Sequence, residues 1–429
     1  MTEWRNWSGG VSCSPRQYQR PSTEAELQSI VADLTPSTRV LRVAGSGHSF
    51  PPVVPTGDAL VSLEDYTGVV EVDTEAREAT VKAGTTLHAL TQELANHGLA
   101  MRNLGDIDAQ TVAGALSTGT HGTGIDLGIL STQVAKLRLI RADGEISELT
   151  PEDGDPFRAA QVSLGALGVV SEVTLDLVPA YDLELHARPM PIEECLADLD
   201  RLRRENRHFE FFWFPHTDTA FVKTMNRTDA ERTGSGGDFD SRVENAAWEA
   251  MCRLSTAASA TTPWMSRLAA ASFSEERSVG PSHEQFAHDR TVRFEESEWS
   301  VPVEDGPAVV REIRSWIERS DEDVCFPVEF RYVGGDDIPL SPAYGRDSAF
   351  VAVHKYHRKP YATYFDAVAS ICGPRDGRPH WGKLHAFDAA DLATRYPEWD
   401  TFHAVRREFD PDGLFLNDHL RGLFEGRPS

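Results

Sequence analysis

Glycine, serine and histidine stand together in a short run behind the strand-like segment Arg39 to Val43. The run consists of Gly45, Ser46, Gly47, His48, Ser49 and Phe50. Glycines let successive backbone N–H groups point into one concavity, which can hold a phosphate. The run is not a Rossmann fingerprint, because Phe50 takes the place of the third glycine and no long amphipathic helix follows. Taken alone, it is equally consistent with an ordinary glycine turn.

Small residues also dominate the segment from Gln110 to Gly124. Side chains this small cannot fill a core by themselves, so a large flat ligand is expected against this backbone. A plain small-residue helix followed by a loop is the alternative. It explains Val112 to Leu116 but not Thr118 to Gly124.

Charged side chains in two later segments could act on a substrate. Glu329 and Arg331 flank Phe330 in a strand-like segment, and period-2 alternation places both charges on one face. A solvated salt-bridging face is the commoner meaning of such a pair. Lys383 follows an aromatic-glycine turn that could hold it as a fixed positive charge where negative charge develops. An exposed basic turn is the other interpretation.

The elements that must position these residues divide into two regions. From Val40 to about Pro179, short apolar strands alternate with helical segments, among them Thr86 to Gly98. Thr23 and Glu26 form a capping-box pattern at the start of another helix. After about Tyr181 the chain changes to aromatic strands and longer polar helices. Asp229 to His288 is predicted to hold a mobile excursion, including the turn-rich Thr233 to Asp240, and further helices.

Composition narrows the class of protein. The chain of 429 residues is long enough for two domains, and 40% hydrophobic with 25% charged residues is typical of a folded globular protein. A formal net charge of −25 argues against nucleic acid or an anionic membrane as partner. Without an apolar stretch of about 18 residues or a signal sequence, we expect a cytoplasmic protein with no membrane insertion. The five scattered cysteines favour reduced thiols, and neither a metal site nor a disulfide framework is expected.

Taken in order, the motifs resemble the vanillyl-alcohol-oxidase-type flavoproteins, in particular the aldonolactone and alditol oxidase branch. The resemblance covers nearly the whole chain and rests on these segments: Asn6 to Gly9, Gly45 to Phe50, Asn103 to Gly105, Thr118 to Gly124, Ser163 to Gly168, Ser341 to Asp347 and His380 to Lys383. It implies an α+β fold. Residues 1–180 would form an FAD-binding domain of the PCMH type with two α/β subdomains. Residues 181–375 would form a substrate domain with a large antiparallel sheet, and residues 376–429 a C-terminal segment that carries Lys383 back to the flavin.

The resemblance also implies the cofactor and its contacts. FAD is expected to be bonded covalently through His48 to the flavin 8α-methyl carbon, which would retain the cofactor and raise its potential. The residues expected at the cofactor are Gly45, Ser46, Gly47, His48, Ser49, Phe50, Thr111, Gly114, Thr118, Gly119, Thr120, His121, Gly122 and Val170.

For catalysis, the resemblance places Glu329 and Arg331 over the flavin and Lys383 near its N1 and C2 carbonyl. Lys383 would stabilise the negative charge of the reduced flavin, while Glu329 and Arg331 would orient the substrate hydroxyl and help remove its proton. Which of the two is the base stays open. Asp106 stands where relatives carry serine and His354 where alditol oxidase carries threonine, so both are expected at the substrate. His354 is equally consistent with a core histidine.

The expected activity is oxidation of a sugar-derived alcohol or aldonolactone, with oxygen as acceptor and hydrogen peroxide as product. Gly105 favours an oxidase, because a small residue at this position in the family lets oxygen reach the reduced flavin. A flavin dehydrogenase that uses another acceptor is the alternative. A metal-dependent hydrolase built on His354, His357, His380 and His385 has poor ligand spacing, and a binding-only protein would require that flavin be absent.

Overall fold

The computed structural model describes residues 2–34, 39–233, 249–287 and 291–426. Its helices are Glu24–Ala32, Leu87–Asn96, Val112–Ser117, Asp155–Gln161, Ile192–Ala197, Leu199–Glu205, Thr262–Ser272, Ser282–Phe286, Gly306–Arg319, Ala362–Cys372, Ala389–Ala393, Trp399–Phe409 and Asp418–Phe424. Of the predicted excursion, residues 234–248 and residue 288 lie outside the described residues, and the helix Thr262–Ser272 confirms the helical part.

Two sheets build the N-terminal region. The strands of a parallel sheet lie in the order Gln17–Gln19, Ala59–Ser62 and Leu41–Ala44. The strands of an antiparallel sheet lie in the order Ile146–Leu149, Val134–Ile140, Val169–Asp176, Glu78–Lys82 and Val69–Asp73. The predicted capping box is present, because the Thr23 hydroxyl accepts from the Glu26 backbone N–H while the Glu26 carboxylate accepts from the Thr23 backbone. Thr86 likewise caps the helix Leu87–Asn96. Both helix predictions are confirmed.

A large antiparallel sheet forms the second region. Its strands lie in the order Glu276–Pro281, Asp182–Pro191, Thr219–Thr228, His208–Trp213, Val328–Val333, Ser348–Tyr356, Phe294–Pro302 and Arg378–Pro379. Short pairs join Trp4–Arg5 to Ser12–Cys13 and Leu99–Ala100 to Val178–Pro179. Together with the N-terminal sheets and the helices, this sheet confirms the predicted α+β fold. The domain boundaries at residues 180 and 375 stay predictions.

The large sheet has faces of opposite character. Phe211, Phe330 and Trp299 are fully buried on one face, where the helices Gly306–Arg319 and Ala362–Cys372 pack against them. Because side chains alternate along a strand, the neighbours of these residues point to the other face. That face carries polar and charged side chains, and it is the one turned toward the N-terminal region.

The C-terminal segment returns to the N-terminal region, as the resemblance implies. The Asn417 amide donates to the backbone carbonyls of Pro52 and Pro55, both at 2.9 Å. The Phe50 backbone N–H donates to the Gly382 carbonyl at 2.9 Å. The turn that carries Lys383 is therefore fixed against the glycine turn.

No helix within the described ranges is both long and apolar enough to cross a membrane. All five cysteines are free thiols in the structure.

Candidate active site

The predicted glycine turn leaves the parallel sheet and lies against the start of the helix Val112–Ser117. Gly47 has a φ of +73°, a backbone conformation that side chains rarely adopt. A Cβ at Gly45 would lie 2.2 Å from the hydroxyl oxygen of Thr111, which caps this helix. Glycine is therefore required here for the close approach of the two backbones, as well as for the bend.

The small-residue segment is a short helix, Val112–Ser117, followed by a loop that reaches the large sheet. A Cβ at Gly122 would lie 2.1 Å from a backbone carbonyl oxygen. The Gly124 backbone N–H donates to the Tyr332 carbonyl at 2.8 Å. The loop therefore connects the cofactor side of the molecule to the strand that carries Glu329 and Arg331.

A long cleft runs between these segments. Its inner part has a volume of about 900 Å³, including space that is open to solvent, and the walls include Gly45, Ser46, Gly47, His48, Ser49, Thr111, Gly114, Thr118 and Val170. A further cavity of about 580 Å³ adjoins it and has walls that include His48, Ser49, Phe50, Gly105, Asp106, Thr118, Thr120, His121, Glu298, Arg331, His380 and Lys383. His48, Ser49 and Thr118 belong to both parts, so the cleft is continuous. Gly119 and Gly122 shape the loop beside it.

Arg331 lies at the outer part of the cleft, surrounded by carboxylates. Its Nε donates to Glu210 at 3.1 Å, its Nη2 lies 3.2 Å from Asp106, and it is ion-paired with Glu329. The predicted placement of Glu329 and Arg331 on one face is thus confirmed. Burial lowers the pKa of Arg331, but Glu329, Asp106 and Glu210 outweigh burial and hold it well above its ordinary value. Arg331 is therefore a permanent cation.

Lys383 is a second cation in the wall of the outer part of the cleft, and its side chain is 19% exposed. Its Nζ is ion-paired with Glu296 and lies 5.1 Å from the centre of the Phe50 ring. Burial lowers the pKa of Lys383, and the attraction of Glu296 and Glu298 reverses this and raises it above the ordinary value. The structure thus excludes the exposed basic turn considered from the sequence.

His354 lies behind the cleft rather than in its wall. Its Nε2 is 3.6 Å from Glu296 and 3.9 Å from Glu329, and its Nδ1 is 3.2 Å from the Pro327 carbonyl. The ring stands edge-on to Phe294, with centroids 5.0 Å apart. His354 therefore reaches the cleft only through the two carboxylates, and its substrate role stays a prediction.

His48 lies where the two parts of the cleft meet. Its ring stacks on Trp7 at 5.7 Å. Burial, assisted by the nearby charge of Lys383, lowers the pKa of His48 to about 4. Near neutral pH the imidazole is uncharged, and it can act as a nucleophile.

His121, Glu298 and His380 form a buried cluster whose ligand atoms lie within 4.8 Å of one another. Three such groups can bind a metal ion, but each of the three already has a hydrogen-bond partner inside the protein. The Nδ1 of His380 accepts from the Gly382 N–H at 3.0 Å, and its ring also donates to the Gly119 backbone. His121 instead pairs with Glu298 at 3.0 Å. The cluster therefore serves hydrogen bonding inside the protein better than metal binding.

The hydrolase hypothesis required a different set of histidines. Among residues 2–34, 39–233, 249–287 and 291–426, His354, His357, His380 and His385 form no common group that could hold a metal. The geometry gives this alternative no support.

Several charged residues of the site were not predicted from the sequence. They are Glu210, Lys223, Glu296 and Glu298, and each is buried or nearly so. The available signal was a carboxylate inside an otherwise apolar or aromatic strand, which occurs once in His208–Trp213 and repeatedly in Phe294–Pro302.

Comparison with known proteins agrees with this site. The D-arabinono-1,4-lactone oxidase family model matches residues 173–423, and an FAD binding domain model matches residues 15–150. The chain is 38% identical over 421 residues to L-gulono-1,4-lactone dehydrogenase of Mycobacterium tuberculosis, covering 97% of this chain and 98% of the relative. It is 32% identical over 440 residues to alditol oxidase of a Streptomyces species, covering 98% and 99%.

Solved structures show the same fold. A solvent-stable cholesterol oxidase superposes with a TM-score of 0.82 at 18% identity, covering 98% of this chain and 97% of the other. The fold and the cleft define an FAD-linked oxidoreductase with a PCMH-type FAD-binding region. More narrowly, the chain belongs to the D-arabinono-1,4-lactone oxidase family.

The residues of the cleft fit FAD. Gly45, Gly47 and Gly114 lie in the wall of the inner part, so that backbone without side chains faces the space where the cofactor would lie. The inner part is predominantly apolar with a few polar groups, which is the usual form of a cofactor site, and the charged side chains are gathered in the outer part.

Proposed function

We propose that this protein oxidises a CH–OH group of an aldono-1,4-lactone or a sugar alcohol. The observation that carries the proposal is the presence of Arg331, Asp106 and Lys383 in the outer wall of a cleft that fits FAD, with Glu329 ion-paired to Arg331 directly beside that wall. When bound there, FAD supplies the acceptor for a hydride at its N5. The curated relatives are named for gulonolactone and alditol activities, and their similarity over nearly the full chain supports this substrate class.

In the proposed reaction Arg331 orients the substrate hydroxyl and Glu329 accepts its proton. Because the pKa of Arg331 is well above the ordinary value, its guanidinium can donate hydrogen bonds but cannot serve as a base. Of the two candidates that the sequence left open, we therefore propose the Glu329 carboxylate as the base. The hydroxyl loses its proton to Glu329 and its carbon loses a hydride, so that a carbonyl forms.

Lys383 supplies a fixed positive charge. Its ammonium group is partly buried and is kept protonated by Glu296 and Glu298, which raise its pKa. Such a preorganised charge stabilises negative charge that develops during the reaction without any reorganisation. We assign to it the electrostatic role that the resemblance implies.

We propose that His48 is bonded covalently to the flavin. The neutral imidazole at the junction of the two parts of the cleft supports this, since bond formation requires an unprotonated ring nitrogen. Acid precipitation of the holoprotein tests it. Yellow fluorescence that stays in the pellet is expected, and flavin found only in the supernatant would exclude the linkage without affecting the fold.

The proposed enzyme is either an oxidase or a dehydrogenase, and the two differ in the electron acceptor. Gly105 in the cleft wall favours oxygen as acceptor and hydrogen peroxide as product. The relative at 38% identity is named a dehydrogenase, which keeps a non-oxygen acceptor as the second candidate. Turnover in air with peroxide detection, compared with turnover under nitrogen with an artificial dye, separates them. Dye reduction without peroxide would remove the oxidase form.

A panel of aldonolactones and polyols of four to six carbons, assayed with both acceptors, tests the substrate class. Failure to reduce the flavin with every member of the panel would overturn the proposal. A cytoplasmic location and the absence of nucleic-acid binding rest on the sequence and stay predictions.

A further inference from the structure

Lys223, Glu210 and Arg331 form a row across adjacent strands of the large sheet. Glu210 on the strand His208–Trp213 is directly opposite Arg331 on one side and directly opposite Lys223 on the other. Side chains of directly opposed residues project from the same face of an antiparallel sheet. All members of the row therefore point toward the cleft side.

The row is joined by direct hydrogen bonds between buried charges. The Lys223 ammonium donates to Glu210 Oε1 at 2.9 Å, and Arg331 Nε donates to Glu210 Oε2 at 3.1 Å. Side-chain exposure is 11% for Lys223, 5% for Glu210 and 9% for Arg331. Charges this deeply buried are retained only when they are well paired.

The carboxylates around Arg331 contact different nitrogens of its guanidinium group, and this difference gives Glu210 a separate role. Glu210 binds Nε, next to the flexible stem, whereas Asp106 and Glu329 lie at Nη2, the end that reaches the cleft. Without Glu210, those carboxylates would alone decide the tilt of the guanidinium plane. Glu210 is thus placed to fix this tilt from behind, with Lys223 holding Glu210 in turn.

We propose that Glu210, anchored by Lys223, is a positioning residue that sets the orientation of the Arg331 guanidinium toward the substrate. The inference rests on the proposed function, because it assigns Arg331 to the substrate. The row leaves the reaction chemistry to Glu329, Arg331 and the cofactor. Its contribution is geometric, and displacement of a substrate-orienting group by about 1 Å can reduce the rate on the order of 100-fold.

The first experiment is independent of activity. In the flavin-containing enzyme labelled with 15N, the Arg331 Nε–H resonance is assigned by its loss in Arg331→Lys. Glu210→Gln is expected to shift this resonance and to speed its hydrogen exchange at least tenfold, because the charged acceptor is gone. Glu184→Gln is the matched control, since Glu184 lies in the same sheet in an exposed pair with Arg277. It is expected to leave the resonance unchanged.

The second experiment is a mutant cycle on the rate of flavin reduction. Glu210→Gln is expected to lower kcat/KM roughly 10- to 100-fold, and Lys223→Met to lower it less. In an Arg331→Lys background, Glu210→Gln should change kcat/KM by less than about twofold, because the group that it positions is already lost. A general structural defect would instead lower kcat/KM by the same factor in both backgrounds.

The outcomes separate the two proposals. An unchanged Arg331 resonance in Glu210→Gln overturns the positioning role, whatever the activity. A shifted resonance in an enzyme that oxidises no polyol or lactone supports the positioning role and overturns the proposed function. If Glu210→Gln fails to fold, the same Arg331 resonance is measured in Lys223→Met. This substitution removes the hydrogen bond from Lys223 to Glu210 and keeps the carboxylate that accepts from Arg331.

Discussion

Lys383→Met is the substitution that tests the electrostatics of the site most directly. Methionine keeps an unbranched side chain that is one heavy atom shorter, and it removes the charge. A unit charge about 4 Å from developing negative charge contributes about 4 kcal/mol at an effective dielectric constant of about 20. The ion-paired Glu296 cancels roughly half of this contribution. We therefore expect the barrier to rise by about 2 kcal/mol, which corresponds to a roughly 30-fold slower reaction.

The assay is anaerobic stopped-flow reduction of the flavin at saturating substrate, so that re-oxidation does not enter the rate. Lys383→Met also leaves Glu296 buried without its cation. The double variant Lys383→Met/Glu296→Gln removes this unpaired anion and should regain part of the lost rate. Glu295→Gln is the matched control, because Glu295 is the adjacent residue on the same strand and faces Ser8 instead of the cleft. It should reduce at the wild-type rate.

A Lys383→Met enzyme that retains full flavin content and is reduced within twofold of the wild-type rate would refute this reasoning. If Lys383→Met and Lys383→Met/Glu296→Gln lose the same share of the flavin reduction rate, the part of the Lys383 charge that Glu296 cancels was misjudged.

Other predictions concern the cofactor, oxygen and stability. His48→Asn should bind FAD that acid then releases into the supernatant, and flavin retained in the pellet would contradict the linkage. Gly45→Val should yield protein without flavin absorbance, because a Cβ there would lie 2.2 Å from the Thr111 hydroxyl oxygen. Gly105→Ala should slow re-oxidation by oxygen in stopped-flow mixing while leaving dye reduction unchanged, since its Cβ would stand in the cleft wall, 3.3 Å from a backbone carbonyl oxygen. Burial raises the pKa of Asp336 to about 6, so the stability that its protonated form contributes is full below about pH 4 and is lost as the pH rises to 6. Denaturant unfolding should show a wild-type decrease of up to about 3 kcal/mol over this range, and Asp336→Asn should lack it.

Local patterns in the sequence predicted the parts of the molecule that depend on neighbours in the chain. The capping box of Thr23 and Glu26 is a four-residue pattern, and the structure has it. Glu329 and Arg331 share a face because side chains alternate along every strand. The glycine turn and the small-residue segment were recognised because their composition cannot pack on itself. Each of these inferences requires only the few residues it concerns.

The charge partners of the site could not be predicted in this way. Glu210 meets Arg331 and Lys223 only because three strands pair in one register, and a shift of one residue would turn Glu210 to the opposite face. His354 shows the same limit, since its distance from the cleft is set by how the strand Ser348–Tyr356 pairs with Phe294–Pro302. The sequence left His354 open between a substrate contact and a core histidine, and the structure places it beside Glu296 and Glu329, behind the cleft wall.

A carboxylate inside an apolar strand nevertheless carries information that a sequence reader can use. An unpaired buried charge is far too costly to persist, so Glu210 within a strand of aromatic residues must face a cation or be protonated. Burial raises the pKa of Glu210, but Lys223 and Arg331 outweigh burial and lower it to about 2, so pairing is the outcome. By the same argument, Glu296 and Glu298 on one strand require partners on the face that they share, and Lys383 and His121 are those partners. The sequence therefore requires that buried partners exist on the cleft side of the sheet, while strand register determines which residues they are.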